Sequence, residues 1–103
     1  MRYIVLQLPR SNDAKFIDYE FAKNHGILPN RDEYVLVYSS ETYGEFKESV
    51  LEYIFSRLNN DHPFDYHAHS LSVSDVVGVE VGKRQWKYYY VDDIGFKRIW
   101  EGN

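Results

Sequence analysis

The chain has 103 residues, which is room for one domain with one hydrophobic core. Its 44% hydrophobic and 27% charged residues are ordinary for a folded protein and exclude disorder. It has no cysteine, which excludes disulfides and thiol nucleophiles, and its net charge of −4 argues against a general affinity for nucleic acid.

Two features bear on location and domain number. No stretch approaches the roughly 18 consecutive apolar residues of a membrane-spanning helix, and the apolar run at residues 2–8 is too short for a signal peptide. We therefore expect a single domain over residues 1–103 in the cytoplasm, without membrane contact.

The first part of the chain predicts two strands and a short helix. At residues 2–8, apolar side chains point to both sides, which predicts a strand buried on both faces. Residues 16–25 have helical spacing, and Gly26 supplies a left-handed cap. Residues 34–38 are β-branched and aromatic, which predicts a second strand.

The main helix is predicted at residues 45–58, where apolar side chains recur on one stripe. Thr42 and Glu45 have the spacing of a capping box, which places the start of the helix at Glu45. Ser72 and Asp75 have the same spacing and predict one helical turn.

The rest of the chain predicts strands at 76–81, 86–92 and 96–100, with a hairpin loop at 82–85. The whole pattern predicts an α+β fold with a small mixed or antiparallel sheet of four or five strands, one main amphipathic helix (45–58) and one short helix.

Acidic residues are concentrated around the main helix. Residues 41–65 contain 6 acidic and 2 basic side chains, and Glu45, Glu48 and Glu52 recur at helical spacing. Such a stripe is either a solvated helix face or a docking surface for a basic partner.

Tyrosine is the other unusual feature. Tyr88 and Tyr90 are expected on one face of a strand and Tyr89 on the other, so at least one set belongs to the core. Tyrosine beyond the needs of a core is typical of protein interfaces. The predicted partner-binding residues are Glu45, Glu48, Glu52, Tyr88, Asp92 and Asp93.

The hairpin and the residues after it offer an alternative. Basic residues between 83 and 98 interleave with aromatic ones, as in proteins that bind single-stranded nucleic acid. The candidate residues are Lys83, Arg84, Trp86 and Lys87. These charges could equally protect the edge of a sheet.

A histidine-rich loop spans His62 to His69. Asp65, His67 and His69 alternate and could hold a metal ion, although local hydrogen bonds that hold the loop explain them as well. Serines follow His69 without the strand–turn–helix context of a nucleophile, so capping explains them better. We predict no catalytic residue, no metal site and no cofactor.

Three stretches carry a family resemblance: His62-Pro63-x-Asp65, Ser70-Leu71-Ser72-Val73-Ser74-Asp75-Val76-Val77, and Tyr89-Tyr90-Val91-Asp92-x-x-Gly95-Phe96. With Tyr3-x-Val5-x-Gln7-Leu8 and Asp32-x-Tyr34-x-x-Val37-Tyr38, they make the sequence resemble the YodL domain family over nearly its whole length. The resemblance implies an accessory protein of a phage or another mobile element of Firmicutes, with no enzymatic activity and with host machinery as a target.

Together these observations predict a small acidic, non-enzymatic protein-binding module, monomeric or a small homo-oligomer. It is expected to antagonise a host protein, such as a defence nuclease or the cytoskeleton, by direct contact. Binding of nucleic acid by the hairpin at 83–98 is the alternative.

Overall fold

The computed structural model describes residues 1–60 and 63–101. In these ranges the elements are β1 (Arg2–Gln7), α1 (Tyr19–Asn24), β2 (Val35–Glu41), α2 (Glu48–Asn60), β3 (Val76–Gly82), β4 (Gln85–Val91) and β5 (Phe96–Ile99), with a 3₁₀ turn at Arg31–Glu33. No helix in the described parts of the chain is long and apolar enough to cross a membrane.

The five strands form one sheet in the order β2-β1-β3-β4-β5, and each neighbouring pair is antiparallel. This confirms the predicted α+β fold and decides the open choice in favour of an antiparallel sheet of five strands.

Both faces of the sheet are covered. α2 packs on one face through Leu51, Ile54 and Leu58, which are almost completely buried and contribute about 2 kcal/mol each by leaving water. The chain between residues 8 and 34 covers the other face. The predicted burial of β1 from both sides is therefore confirmed.

The tyrosines of β4 alternate as predicted. Tyr88 and Tyr90 pack on the face away from α2, whereas Tyr89 packs on the α2 face, where its ring stacks with Phe46 at 5.6 Å. All three side chains are buried in the core.

The start of the main helix differs from the prediction. α2 begins at Glu48, so Glu45 lies in the loop before it. Thr42 does not cap the helix, because its N–H donates to the Met1 carbonyl at 2.9 Å and the N-terminal ammonium donates to the Thr42 carbonyl at 2.8 Å. These two bonds continue the β1–β2 ladder and hold Thr42 to the sheet.

The short helix α1 is also shorter than predicted. Asp18 caps it by accepting a hydrogen bond from the Phe21 N–H at 2.8 Å. Gly26 has a φ of +67° and ends the helix, as predicted. The helix cannot begin at Phe16, because that residue has a φ of +70°, outside the helical range.

The segment before β3 forms a tight turn rather than the predicted helical turn. The Ser72 N–H donates to the Asp75 carboxylate at 2.8 Å, and the Asp75 N–H donates to the Ser72 carbonyl at 3.0 Å. Ser74 has a φ of +84°, which prevents a helical continuation.

β3 has a glycine at a position with no room for a side chain. A Cβ atom on Gly78 would lie 2.9 Å from Ile4 Cγ1 and 2.9 Å from Tyr88 Cε1. The missing side chain therefore lets the Tyr88 ring lie close against the sheet.

Candidate functional site

The first candidate surface consists of Glu45, Glu48 and Glu52, which we call the acidic surface. All three side chains are exposed. Glu48 and Glu52 are one helical turn apart on α2, and Glu45 lines a cavity of about 570 Å³ next to Glu80 and Lys87. The structure therefore brings the three predicted glutamates to the beginning of α2, facing solvent.

Exposed tyrosine is found near this surface, although not where it was predicted. Tyr43 lies in the same loop as Glu45 and is 100% exposed, and Tyr53 on α2 is 53% exposed. The other eight tyrosines, all within the described residues, are buried or half-buried.

Tyr88 must be removed from the predicted contact residues. Its side chain is only 9% exposed, its ring lies 5.2 Å from that of Trp100, and the Arg31 guanidinium lies 4.6 Å from its ring centroid. The glycine at position 78 allows this burial, so Tyr88 is a core residue rather than an exposed contact.

Asp92 and Asp93 lie apart from the acidic surface. They follow the end of β4, whereas the Glu45 cavity lies near its beginning, roughly 20 Å away at 3.3 Å per residue. Asp92 Oδ1 accepts hydrogen bonds from the Tyr19 N–H at 3.1 Å and the Asp93 N–H at 2.9 Å. Asp92 thus holds a turn and the start of α1, while Asp93 is exposed.

The basic residues of the hairpin lie in two settings. Lys83 and Arg84 are exposed at the tip, whereas Trp86 and Lys87 are half-buried. A cleft of about 340 Å³, which we call the basic cleft, is lined by the charged side chains Arg31, Arg84, Lys87 and Arg98 and the rings of Trp86 and Tyr88. Arg31 comes from outside the hairpin, so the cation cluster is larger than the sequence indicated.

A third group of polar residues lies where β1 ends, and we call Gln7, Lys15, His69 and Asp75 the polar cluster. Gln7 Nε2 donates to Asp75 Oδ2 at 3.1 Å and to the His69 carbonyl at 3.0 Å. Lys15 Nζ contacts His69 Nε2 at 2.9 Å and donates to the Leu8 carbonyl at 2.7 Å. The cluster joins four separate segments of the chain.

Both ring nitrogens of His69 have polar neighbours. His69 Nε2 lies 2.9 Å from the Lys15 ammonium, which can only donate, and His69 Nδ1 lies 2.7 Å from the Ser70 carbonyl oxygen and 3.1 Å from Gln7 Nε2. Both ring nitrogens are therefore engaged with groups other than a serine hydroxyl. These contacts hold the loop at His69.

The remaining ligands of the metal hypothesis do not come together. Asp65 accepts a hydrogen bond from the Tyr38 hydroxyl at 2.9 Å, and His67 is exposed. In residues 1–60 and 63–101, no three histidine or acidic side chains are close enough to share a metal ion. His62 lies outside the described residues.

Asp75 is the buried charge of the polar cluster. Its side chain is 0% exposed; Oδ2 accepts from Gln7 and from the Ser72 N–H, whereas Oδ1 has no partner among the described residues. Burial raises the pKa of Asp75 to about 6, against the opposing effects of the Ser72 N–H, His69 and Lys15.

Comparison with known families matches nearly the whole chain. The family model of YodL-like domains matches residues 2–101. The chain belongs to the YodL-like domain family. No curated protein and no solved structure matches it. The match establishes the family and assigns no activity.

In this YodL-like domain, the motif residues shape turns. Ser72 and Asp75 bond each other before β3, and Asp92 closes the turn after β4 through an N–H donated to the Gly95 carbonyl at 3.1 Å. Gly95 has a φ of +74°, which favours glycine. The resemblance is thus carried by residues that specify the fold.

Sequence reasoning missed the polar cluster of this YodL-like domain. Lys15 belongs to no motif, and Gln7 belongs only to the stretch of family resemblance at the start of the chain; they meet His69 from 54 and 62 residues away. One signal was present: Gln7 is a polar residue at an inward position of β1, on the same side as Tyr3 and Val5. A buried amide in such a strand indicates a hydrogen-bonding partner in the core.

Proposed function

We propose that this YodL-like domain is a non-enzymatic protein-binding module and that its acidic surface contacts a basic surface of the partner. The observation that carries the proposal is the exposure of Glu45, Glu48 and Glu52 at one end of α2. Like charges one helical turn apart cost a few tenths of a kcal/mol in the isolated helix. A basic partner would convert that repulsion into attraction and would speed association.

Tyr43 supports the same proposal. Its side chain is fully exposed, in the loop that also carries Glu45. Because the ring buries no area in the free chain, a partner can bury the whole of its apolar surface. Tyrosine is frequent at binding hot spots. Tyr43 therefore replaces Tyr88 as the aromatic contact that we propose.

The identity of the partner is a finer proposal, supported by the family resemblance. We infer that the domain serves a phage or another mobile element and acts in the cytoplasm of a Gram-positive host. There it would antagonise a host protein, such as a defence nuclease or the cytoskeleton, by contact alone and without a cofactor.

The proposal can be tested by affinity capture with the full chain. The immobilised protein is exposed to nuclease-treated lysate of a Gram-positive host, and the bound proteins are quantified by mass spectrometry. We expect one enriched protein, lost when Glu48→Lys and Glu52→Lys are combined. Circular dichroism and thermal unfolding must show that the variant is folded. Equal recovery on the folded variant would contradict the proposal.

One observation favours a second function, namely the basic cleft. Cations around the half-buried Trp86 ring suit a single-stranded nucleic acid, whose bases stack on an aromatic side chain while its phosphates meet the charges. If this is the function, a labelled oligonucleotide binds at low salt, its binding weakens steeply as the salt concentration rises, and binding is lost when Arg84→Gln and Lys87→Gln are combined. Absence of binding at low salt would exclude it.

A further inference from the structure

A cleft of about 650 Å³ opens beside the polar cluster, within the size range of small-molecule sites. It is lined by Arg10, Asn12, Lys15, Phe16, His69, Ser70 and Ser72. We infer that this cleft, which we call the Phe16 cleft, binds a small ligand that carries an oxyanion next to a planar ring.

The charges of the lining select an anion. Arg10 and Lys15 are cations, and none of the described residues that line the cleft is acidic, although the whole chain has a net charge of −4. The Lys15 ammonium uses two of its three N–H groups on the Leu8 carbonyl and His69 Nε2. Its third N–H is left for a carboxylate or phosphate oxygen.

Phe16 supplies the surface for the planar ring. Its φ of +70° is costly for a bulky residue, and its side chain is nevertheless 58% exposed. The strained backbone is held by the Phe16 N–H, which donates to Ser74 Oγ at 2.9 Å. The strained backbone does not serve to bury the ring. We therefore explain the strain by a binding role of the exposed Phe16 ring at the mouth of the cleft.

The cation and the ring are close enough for one molecule to contact both. Lys15 Nζ lies 5.0 Å from the centroid of the Phe16 ring, and the His69 ring lies 6.3 Å from it at an angle of 53°. Because Lys15 Nζ lies over the Phe16 ring, a planar ligand can pack on the part of the ring that Lys15 leaves uncovered while its oxyanion contacts Lys15 and Arg10. Aryl carboxylates and aryl or nucleoside phosphates share this chemistry.

The Phe16 cleft and the acidic surface are independent sites. Lys15 binds the carbonyl of Leu8, just after β1, whereas Thr42, at the start of the loop that carries Glu45, pairs with Met1 just before β1. The six residues of β1 separate them by roughly 20 Å. Failure of one proposal therefore leaves the other open to its own test.

The test is an NMR titration of the ¹⁵N-labelled full chain with four probes: phenyl phosphate, benzoate, inorganic phosphate and benzyl alcohol. We expect phenyl phosphate, benzoate or both to shift the amide signals of Lys15, Phe16 and Ser70. Whichever binds more tightly identifies phosphate or carboxylate as the source of the oxyanion. Inorganic phosphate and benzyl alcohol should each bind at least about tenfold more weakly, because each lacks half of the recognised group.

Variants locate the site. Phe16→Gly should weaken binding about tenfold while leaving the thermal unfolding midpoint equal or higher, since glycine relieves the positive φ. Lys15→Gln should weaken it at least as much, and Arg10→Gln, on an exposed side chain, serves if the Lys15 variant does not fold. Phe21→Ala and Lys23→Gln, an exposed aromatic and an exposed cation on α1, are the matched controls and should bind normally.

Three outcomes would overturn the inference. One is no shift with either aryl anion at millimolar concentration. Another is equal binding of inorganic phosphate, which would remove the role of the ring. The third is binding that the Phe16 and cation variants leave unchanged, which would place the ligand elsewhere.

Discussion

The acidic surface and the polar cluster both contain charged residues, but the fold holds them in opposite ways. Glu48 and Glu52 face solvent on a single helix. The polar cluster joins β1, the loop after it, the loop before β3 and the turn that leads into β3, and its central carboxylate is fully buried. The residues of the acidic surface can therefore be substituted without disturbing the core, whereas the buried carboxylate of the polar cluster is part of the core.

This difference shows which charges of a small domain are free to serve binding. An exposed charge contributes little to stability, so its presence leaves room for a role in recognition. A buried charge costs stability unless it is paired, so each of its partners carries structural weight.

The largest effect should come from Asp75 and pH. Its pKa is raised from 3.8 in the unfolded chain to about 6, so the native state binds more protons between these values. The free energy of unfolding should fall by about 3 kcal/mol as pH rises from about 3 to about 7, with about 2 kcal/mol of this fall between pH 4 and 6. Urea unfolding across this range measures it.

The matched variant for this prediction is Asp75→Asn. Its amide has no charge to desolvate and can still accept hydrogen bonds from Gln7 and the Ser72 N–H. The variant should lose the part of the pH dependence that belongs to Asp75. Parallel pH profiles for the two proteins would show that Asp75 does not titrate in this range.

Removal of a donor from the polar cluster should have the next largest effect. Gln7→Ala takes one buried hydrogen bond from Asp75 and one partly buried hydrogen bond from the His69 carbonyl. We expect a loss of about 2 to 3 kcal/mol in the free energy of unfolding at pH 7. Gln85→Ala, at an exposed glutamine, should cost less than about 0.5 kcal/mol. If Gln7→Ala also lowers the free energy of unfolding by less than about 0.5 kcal/mol, the hydrogen bonds of Gln7 do not stabilise the fold.

Phe16→Gly should have a smaller effect of the opposite sign. Glycine adopts a φ of +70° without steric cost, so we expect the free energy of unfolding to rise by about 1 kcal/mol. The same substitution at Phe21, inside α1, should lower it by about 1 kcal/mol. Chemical denaturation of the two variants checks both signs, and destabilisation by Phe16→Gly would contradict the strain at that position.

The smallest effect is expected at the acidic surface. Combining Glu48→Gln with Glu52→Gln removes a like-charge pair, but also a favourable charge near the start of α2. Because these two contributions are similar in size and opposite in sign, the free energy of unfolding should change by less than about 0.5 kcal/mol. A loss of more than about 1 kcal/mol in the free energy of unfolding would mean that these glutamates stabilise the fold and are not free for binding.

Much of the fold was predictable from the sequence because its information is local. Apolar side chains on both sides of residues 2–8 predicted β1 and its double burial, β-branched and aromatic residues predicted β2, and Gly26 predicted the end of α1. The start of α2 was missed because the sequence around Thr42 fits two roles, a helix cap and a strand residue. In the structure Thr42 pairs with Met1 in the sheet and does not cap the helix.

The candidate sites divide in the same way. Glu48 and Glu52 were predictable because helical spacing alone puts them on one exposed side. The polar cluster was not, since Asp75 meets Gln7 across 68 residues and only the strand order brings them together. The burial of Tyr88 depended on Gly78 in the neighbouring strand, a pairing that the sequence did not specify.

The most direct test of the central claim compares two variants with equal charge. Glu48→Lys with Glu52→Lys, and Glu20→Lys with Asp32→Lys, each reverse two exposed acids, and since each reversal adds two charges, both bring the net charge from −4 to 0. Affinity capture should recover the partner at least about tenfold less well on the first variant, and within about twofold of the wild type on the second. Equal losses would mean that overall charge, rather than the acidic surface, governs binding, and full recovery on both would contradict the account.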